Sequence, residues 1–550
     1  MRRPAQRIAF AALLAAPAAL IAQTFTTGPR VATFHSAIDN SDQPYALYVP
    51  RQFDPAKEYP LIVGLHAEET NHSVNLVQLF GSPGTPGDIG LAVGFGFPRF
   101  PDVSFIVACP FARGTMGYQG IAEQDVYDML DEVERRYPID RDRVYLTGVS
   151  MGGSGALRLA LTRPDVWAAV APVCAFPIPG AEELAPNALN LPIRLFHGSL
   201  DPAVPAASSR DWQRRLLDAG DPAEYIEYPG VLHNAWNSAY RNLGIFAWFA
   251  QYRRDPLPAR VRLVTRSYRY GSAYWLRIDG MASGALASID ASLTGKATAR
   301  VETHDVDGFS IKGKVMDEPG VVTIDGAAIR VRAGSPLSFF KVDGRWQQGP
   351  APVSGKRAGA EGPIPAAVSG AHIYVYGTAD HPPPEVAAAR RRIAESAANW
   401  SHPPYARIAL TLEVKADSEV TDADRESANL VLFGSRETNS LIARFAADLP
   451  LALNSGAADY GLLFIAPVGK RYALVSSGLP WWTGAEEVNR GGDPFAPPAF
   501  RLLTTFKDFV LFRGSLANVV SEGYFDRNWK VPNDPSAAKM LATGTVNIRP

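Results

Sequence analysis

Cysteine is nearly absent. Two residues in 550, Cys109 and Cys174, are too few for a disulfide framework or a cysteine-based zinc site. Both close apolar runs, Phe105 to Cys109 and Ala168 to Cys174, so buried free thiols are expected. A single mutual disulfide is the alternative in an oxidising compartment. An excess charge of one sign is missing too. Fifty-four basic residues stand against 55 acidic ones, a net charge of −1, which leaves no overall field to gather nucleic acid or an anionic membrane surface. The nine histidines show no metal-ligand spacing, and no Gly-rich nucleotide fingerprint or internal repeat occurs. No cofactor, no metal and no nucleic-acid partner are therefore expected. Beyond the N-terminus no run approaches about 18 uninterrupted apolar residues, so no stable membrane span is expected either.

What is present begins with an address. Arg2, Arg3 and Arg7 precede an apolar run from Ile8 to Ala22, and Ala22-Gln23 offers a cleavage point. This pattern predicts a signal peptide over residues 1–22 and a secreted, periplasmic or extracellular protein, with a simple membrane anchor as the alternative. The length predicts about three or four domains. Gly (47) and Pro (45) are abundant enough for many turns without reaching the composition of a disordered chain.

Residues 30–254 alternate strand-like and helical segments. The strands are Pro60 to Leu65, Val103 to Ala108, Val144 to Thr147, Trp167 to Val173, Ile193 to Phe196 and Glu224 to Tyr228. The clearest helix is 121–137, where Val126, Met129, Leu130, Val133 and Tyr137 form one apolar stripe before Pro138 ends it. Such alternation predicts a mostly parallel sheet covered on both faces. After a linker at Asp255-Pro-Leu-Pro258, residues 258–349 read as a small all-β sandwich punctuated by Asp279-Gly280, Asp307-Gly308, Asp325-Gly326 and Asp343-Gly344, the pair favoured in tight hairpins. Its Tyr and Trp residues are assigned to packing ahead of a sugar- or peptide-binding surface. A second linker, 349–362, leads to residues 363–550, a second three-layer α/β domain of Rossmann or flavodoxin-like type with a C-terminal tail. Its strands are His372 to Tyr376, Ile408 to Val414, Asn429 to Phe433, Tyr460 to Ile465, Tyr472 to Ser476 and Phe509 to Phe512, and its helices 384–400 and 437–447. Asp380, Asp417, Glu419, Ser435, Glu437 and Asn439 gather at its strand ends, where open parallel sheets bind ligands, although loops are polar in any case.

The chemistry is carried by Gly148-Val149-Ser150-Met151-Gly152, which follows a strand and opens a helix. In that setting Gly-x-Ser-x-Gly is a nucleophile elbow, a strained turn that exposes the serine hydroxyl. The backbone N–H of Met151 can then face a developing oxyanion. A serine hydroxyl needs a base, and the base an orienting acid. Asp201 and His233 follow the strands Ile193 to Phe196 and Glu224 to Tyr228, in the chain order Ser, Asp, His that this fold requires. Read alone, Asp201 is a turn aspartate and His233 a loop histidine; together with Ser150 they make a triad. Trp236 and Tyr240 are candidates for the substrate-pocket wall, with helix packing as the alternative, and His197 is expected to pack beneath the loop of Asp201.

Gly-Val-Ser-Met-Gly, His197-Gly-Ser-Leu-Asp-Pro-Ala-Val-Pro205 and Gly230-Val-Leu-His-Asn234 resemble exported α/β-hydrolases of the carboxylesterase and prolyl oligopeptidase-like group. The resemblance covers 30–254. Downstream, Val414-Lys-Ala-Asp-Ser-Glu-Val-Thr421 and Leu432-Phe-Gly-Ser-Arg-Glu-Thr-Asn439 look like segments of multi-domain bacterial members. Two departures stand out. The loop usually written His-Gly-Gly-Gly reads His66-Ala67-Glu68-Glu69, so the second oxyanion N–H is expected from about Ala67 or Glu68, Ala67 first. His66 and Glu68 are substrate-pocket candidates, with a structural role in the oxyanion loop as the other reading of His66. With about ten residues between the expected signal peptide and the hydrolase segment, an N-terminal propeller, at ~40 residues per blade, is not expected. The resemblance implies a secreted serine hydrolase that cleaves a small ester or peptide substrate through an acyl-enzyme. Polysaccharide-linked esters are among the candidates. The alternative is a non-catalytic carbohydrate- or peptide-binding protein on a hydrolase scaffold.

Overall fold

The computed structural model describes residues 25–68, 70–82, 85–312, 315–316, 318–332, 337–350, 355–403, 407–491 and 496–549. The expected signal peptide, 1–22, lies outside them. Among the described residues no helix is long and apolar enough to cross a membrane.

The first sheet has eight strands: β1 (Gly28–Ser36), β2 (Ser41–Val49), β3 (Tyr59–Leu65), β4 (Ile106–Pro110), β5 (Ile139–Val149), β6 (Ala169–Val173), β7 (Arg194–Gly198) and β8 (Glu224–Tyr228), in the spatial order β1-β2-β4-β3-β5-β6-β7-β8. β1 and β2 form an antiparallel hairpin, β2 pairs antiparallel with β4, and the remaining pairs are parallel. Every residue of β3 and β6 is buried, as strands covered on both faces must be. Helices α1 (His72–Leu79), α2 (Pro86–Val93), α3 (Ile121–Arg136), α4 (Met151–Thr162) and α5 (Ala207–Asp218) connect them. The stripe of α3 is buried through Val126, Met129, Leu130 and Val133. The β1–β2 hairpin and α1 and α2 carry no strong periodic signal in the sequence.

Two five-stranded sheets follow. One holds 272–273, 276–281, 306–311, 337–342 and 345–348; the other 327–331, 320–324, 298–304, 287–295 and 260–265. They share an apolar core that contains Trp275, Phe309 and Phe339. Trp275 is buried and donates its indole N–H to the Pro258 carbonyl (2.8 Å), a packing role. Of the four Asp-Gly pairs only two make hairpin turns: Asp325-Gly326 and Asp343-Gly344 both adopt positive φ. Asp279-Gly280 and Asp307-Gly308 lie inside paired strands instead, where Gly280 faces Gly308 across a register shift. Glycine serves there as a bulge, not a turn.

The last large sheet has seven strands in the order 413–416, 372–376, 429–433, 471–478, 460–468, 509–513, 515–523. Its first four strands are parallel and the rest antiparallel, so it is a mixed sheet, not the parallel one of a Rossmann or flavodoxin-like fold. Successive strands joined by short turns, such as 460–468 and 471–478, can pair only antiparallel. The strand expected at Ile408 to Val414 is displaced to Glu413–Ala416, because Ile408 is bridged to Gly114 of the first sheet's β4–α3 loop. The helix expected at 437–447 is only Ser440–Phe445, capped by Asn439. One apolar cluster runs from the first sheet through Met116 and Tyr118 to Ile408, Trp400 and Ile364 of this region.

The expected linker 349–362 is anchored. Lys356 pairs with buried Asp508. The Glu361 carboxylate accepts hydrogen bonds from Ser267 Oγ (2.9 Å) and the N–H groups of Tyr268 and Arg269 (the latter 2.8 Å), while its own N–H donates to the Tyr472 hydroxyl (2.7 Å). Burial disfavours its charge and pushes its pKa up to about 7. A carboxyl raised above its unfolded value stabilises the fold below that unfolded value, and the contribution is lost as pH rises through the folded one. The apparent Tm of the wild type should therefore fall relative to that of Glu361→Gln between about pH 5 and about pH 8. Parallel melting curves of the two proteins across this range check the sign.

Candidate active site

Three strand ends of the first sheet converge on one group of side chains. Ser150 occupies the turn between β5 and α4 with φ of 54° and ψ of −114°. Two glycines make this turn possible. A Cβ on Gly148 would overlap the Gly152 carbonyl, and one on Gly152 would overlap the carbonyl of Leu65 at the end of β3. The turn is pinned from the other side by the Ser150 N–H, which donates to the Val173 carbonyl at the end of β6 (2.9 Å).

His233 brings Nε2 to 2.9 Å from Ser150 Oγ and Nδ1 to 2.6 Å from Asp201 Oδ2. A carboxylate only accepts, so Nδ1 carries the proton and Nε2 is free to receive the serine's. Asp201 is buried, and its Oδ1 accepts from the N–H groups of Ala203 and Val204, each at 2.9 Å. Burial opposes the charge, but the Val204 N–H, the His233 imidazole and the Ala203 N–H outweigh it and hold the carboxyl below its ordinary value. His197, fully buried, adds a fourth ligand. Its Nε2 lies 2.9 Å from the Val204 carbonyl and 3.1 Å from Asp201 Oδ2, and its Nδ1 faces Ser209 Oγ at 2.7 Å. The Ser209 hydroxyl can donate to Nδ1, so Nε2–H serves both acceptors. Cys174 Sγ donates to the His233 carbonyl (3.2 Å), and Cys174 and Cys109 are both buried free thiols. Burial pushes the Cys174 thiol up to about 12, so it stays protonated beside Asp201.

The N–H groups expected to face an oxyanion belong to the start of α4 and the loop after β3. Met151 opens α4, so its N–H has no intrahelical acceptor. In the loop the two carbonyls flanking Ala67 are tied down. The Tyr118 hydroxyl donates to the His66 carbonyl (3.1 Å), and the Thr70 N–H and hydroxyl both reach the Ala67 carbonyl (3.1 Å each). In a trans peptide N–H and C=O oppose each other, so tying the His66 carbonyl fixes the direction of the Ala67 N–H. Glu68 is half-buried in the same turn.

Two of the expected pocket residues are elsewhere. His66 is fully buried, with Nδ1 2.7 Å from the Ala67 carbonyl and Nε2 2.9 Å from the Phe111 carbonyl; it braces the loop and does not face substrate. Burial lowers its pKa. Tyr240 is also fully buried, its hydroxyl 2.8 Å from Thr147 Oγ1 behind the elbow. The helix containing Trp236 ends at Ala239, so Tyr240 caps it and turns into the sheet. Trp236 does stay at the site, its ring edge-on to His233 with centroids 5.5 Å apart. Sequence reading missed Tyr118 and Thr70. The signal for the former was the glycine spacing Gly114, Gly117, Gly120 around it, which marks a left-handed loop. It also missed an apolar rim of Phe176, Leu200 and Leu232 on the loops after β6, β7 and β8, exposed by 38%, 61% and 54%.

Around the last sheet, several of the polar strand-end residues are tied to neighbouring groups of the protein. Asp417 accepts from the Thr378 N–H (2.7 Å) and hydroxyl (2.6 Å) and from the Ser440 N–H (2.6 Å), and Asp380 pairs with Arg390 (2.7 Å). A shallow cavity of about 530 Å³ lies there, lined by Thr378, His381, Asp417, Ser418 and Ser440 among others.

The sequence profile of the phospholipase/carboxylesterase family matches residues 122–247, a stretch that contains Ser150, Asp201 and His233. Over 126 residues the chain is 29% identical to cutinase est1 of Thermobifida alba and 30% identical to cutinase 1 of Thermobifida cellulosilytica. Each match takes in 21% of this chain; it spans 38% of the former and 44% of the latter, less than half of either relative. A solved thermostable esterase is 23% identical over 41% of this chain and 63% of its own, with a TM-score of 0.33. The first sheet and its helices have the α/β-hydrolase arrangement, and the sequence likeness is to esterases.

Because Gly152 touches backbone on β3, Gly152→Ala has no side chain to push aside and must move the elbow. We expect it to cost about 1–3 kcal/mol of stability and to lengthen the contact between Ser150 Oγ and His233 Nε2. Chemical denaturation and the structure of the variant check both.

Proposed function

We propose that the chain is a serine hydrolase of carboxylic esters, acting through an acyl-enzyme on Ser150. The observation that carries this reading is the continuous relay Ser150 Oγ, His233 Nε2, His233 Nδ1, Asp201 Oδ2 at 2.9 and 2.6 Å. His233 takes the proton from Ser150 as its oxygen attacks the ester carbonyl. The negative charge that develops on the ester's carbonyl oxygen is met by the N–H of Met151 and the N–H of Ala67. Collapse of the tetrahedral species returns the proton from His233 to the leaving alcohol. Water then repeats the sequence on the acyl-enzyme and releases the acid. Asp201, ionised and fixed by two backbone N–H groups, holds His233 in the tautomer that can accept.

Esters rank ahead of peptides for two reasons. The sequence likeness is to carboxylesterases and cutinases, and the rim of Phe176, Leu200 and Leu232 offers apolar contact with no fixed charge to bind a peptide terminus. The prolyl oligopeptidase-like reading, with a proline-containing peptide as substrate, is the finer alternative within the same chemistry. Export to the periplasm or the exterior belongs to the same proposal and rests on residues 1–22.

Purified protein is expected to label with a fluorophosphonate and to hydrolyse p-nitrophenyl acetate and a feruloyl ester faster than a proline-containing chromogenic peptide. Ser150→Ala should abolish labelling, and Asp201→Asn should lower kcat by about 10⁴-fold by favouring the wrong tautomer. Labelling that survives in Ser150→Ala, or its absence from the wild type, would favour the reading of a non-catalytic carbohydrate- or peptide-binding protein.

A further inference from the structure

The loop that holds the Ala67 peptide is itself held from far along the chain. Residues 111–120, between β4 and α3, contribute a brace of that peptide, the Tyr118 hydroxyl on the His66 carbonyl, and set the Phe111 carbonyl 2.9 Å from His66 Nε2. The Phe111 and Tyr118 rings also pack on the His66 ring, with centroids 6.0 and 5.8 Å away. This loop is in a conformation that its own residues disfavour. Ala112, Arg113 and Tyr118 have φ of 46°, 63° and 55°, in the left-handed region where a Cβ crowds the backbone. Such a segment persists only when its surroundings over-determine it.

The surroundings that do so come from residues 407–411. Ile408 bridges Gly114 in antiparallel fashion. The Thr115 N–H donates to the Arg407 carbonyl (3.3 Å), the Arg407 N–H to Thr115 Oγ1 (2.9 Å), and the Ala409 N–H to the Arg113 carbonyl (3.0 Å). Gly114 permits this approach, because a Cβ there would overlap the Arg407 carbonyl. Beneath the bridge the fully buried Arg113 guanidinium reaches Asp125 and Asp39 (2.6 Å each), Ser36 Oγ (2.7 Å) and the Ala409 carbonyl (3.3 Å). The Thr411 N–H closes the ring on Asp39 (3.4 Å).

We propose that residues 407–411 are a positioning element of the active site: by clamping loop 111–118 they hold the Ala67 N–H toward the reacting carbonyl oxygen. The proposal rests on the serine-hydrolase reading above. It makes the region after residue 363 part of the catalytic unit, acting through Arg113, Phe111 and Tyr118 with no contact to substrate. Loss of an oxyanion donor acts on the transition state more than on the bound ester, so the clamp should appear in kcat and not in KM.

The test uses the full chain and the variant Ala409→Pro, which deletes the N–H that donates to the Arg113 carbonyl. Hydrogen–deuterium exchange is expected to rise in the peptides that carry His66–Ala67 and Phe111–Tyr118. With p-nitrophenyl acetate kcat should fall at least about tenfold while KM stays within about twofold. Thr115→Val, which removes only the hydroxyl acceptor of the Arg407 N–H, should move both readouts the same way by a smaller amount and serves if the proline variant fails to fold. Arg390→Ala, which breaks an ion pair elsewhere in the same region, should leave kcat unchanged. A folded clamp variant with wild-type exchange in the His66–Ala67 peptide, or with KM raised and kcat kept, overturns the proposal. Absence of Ser150-dependent hydrolysis in the wild type would instead defeat the functional reading, and the exchange comparison would still decide whether the clamp holds the loop.

Discussion

The left-handed backbone at Ser150 is the constraint on which the site depends. A serine at φ of 54° is unfavourable in isolation, and it survives because the turn has no room to relax. Gly148 and Gly152 let β5 and α4 close onto β3, and the Val173 carbonyl takes the Ser150 N–H. The same closure sets three features at once. It lifts Oγ above the sheet, starts α4 so that the Met151 N–H has no intrahelical acceptor, and brings the Leu65 carbonyl, hence the whole loop after β3, into contact with the helix start. The start of α4 and the loop after β3 are therefore coupled through one glycine.

Electrostatic order follows from the same packing. Asp201 sits in a place where burial opposes its charge, yet two backbone N–H groups, His233 and the Nε2 of His197 converge on its two oxygens. Two of those four groups, the Ala203 and Val204 N–H, belong to the strand-end turn itself, and the Val204 carbonyl holds His197 Nε2. In the proposed acyl transfer the two N–H groups need not reorganise when His233 becomes charged. The protonated thiol of Cys174 fills the remaining space without adding a competing charge.

Much of this was legible in the sequence, for identifiable reasons. The elbow combines two glycines and a serine between a strand and a helix, and its partners follow further strands in fixed order. Strands such as Glu224–Tyr228, His372–Tyr376 and Asn429–Phe433 were bounded by turn residues and came out at the expected ends. Readings failed where a local pattern had two physical solutions. Asp-Gly at 279–280 serves a bulge as well as it serves a turn, and only the register with 306–311 decides between them. Tyr240 lies one turn from Trp236 on paper, but the helix stops before it. Ile408 to Val414 looks like a strand because it is apolar and alternating. Its start instead bridges a loop nearly three hundred residues earlier, with the Ala409 N–H on the Arg113 carbonyl.

That last case shows what a local reading of one chain cannot reach. The stretch Arg113-Gly-Thr-Met-Gly-Tyr-Gln-Gly120 carries glycines at every third position, a visible sign of left-handed backbone, but nothing in it names the partner that makes the conformation stable. The partner is identified only by contact. Gly114 is glycine because the Arg407 carbonyl occupies the place of a Cβ, and Arg113 can be buried whole because Asp39, Asp125 and the Ala409 carbonyl surround it. Removing residues 407–411 would leave a buried guanidinium with part of its shell missing and three left-handed residues without the bridge that holds them. By this argument a boundary drawn at residue 254 separates sheets, but it does not separate the groups that shape the loop after β3.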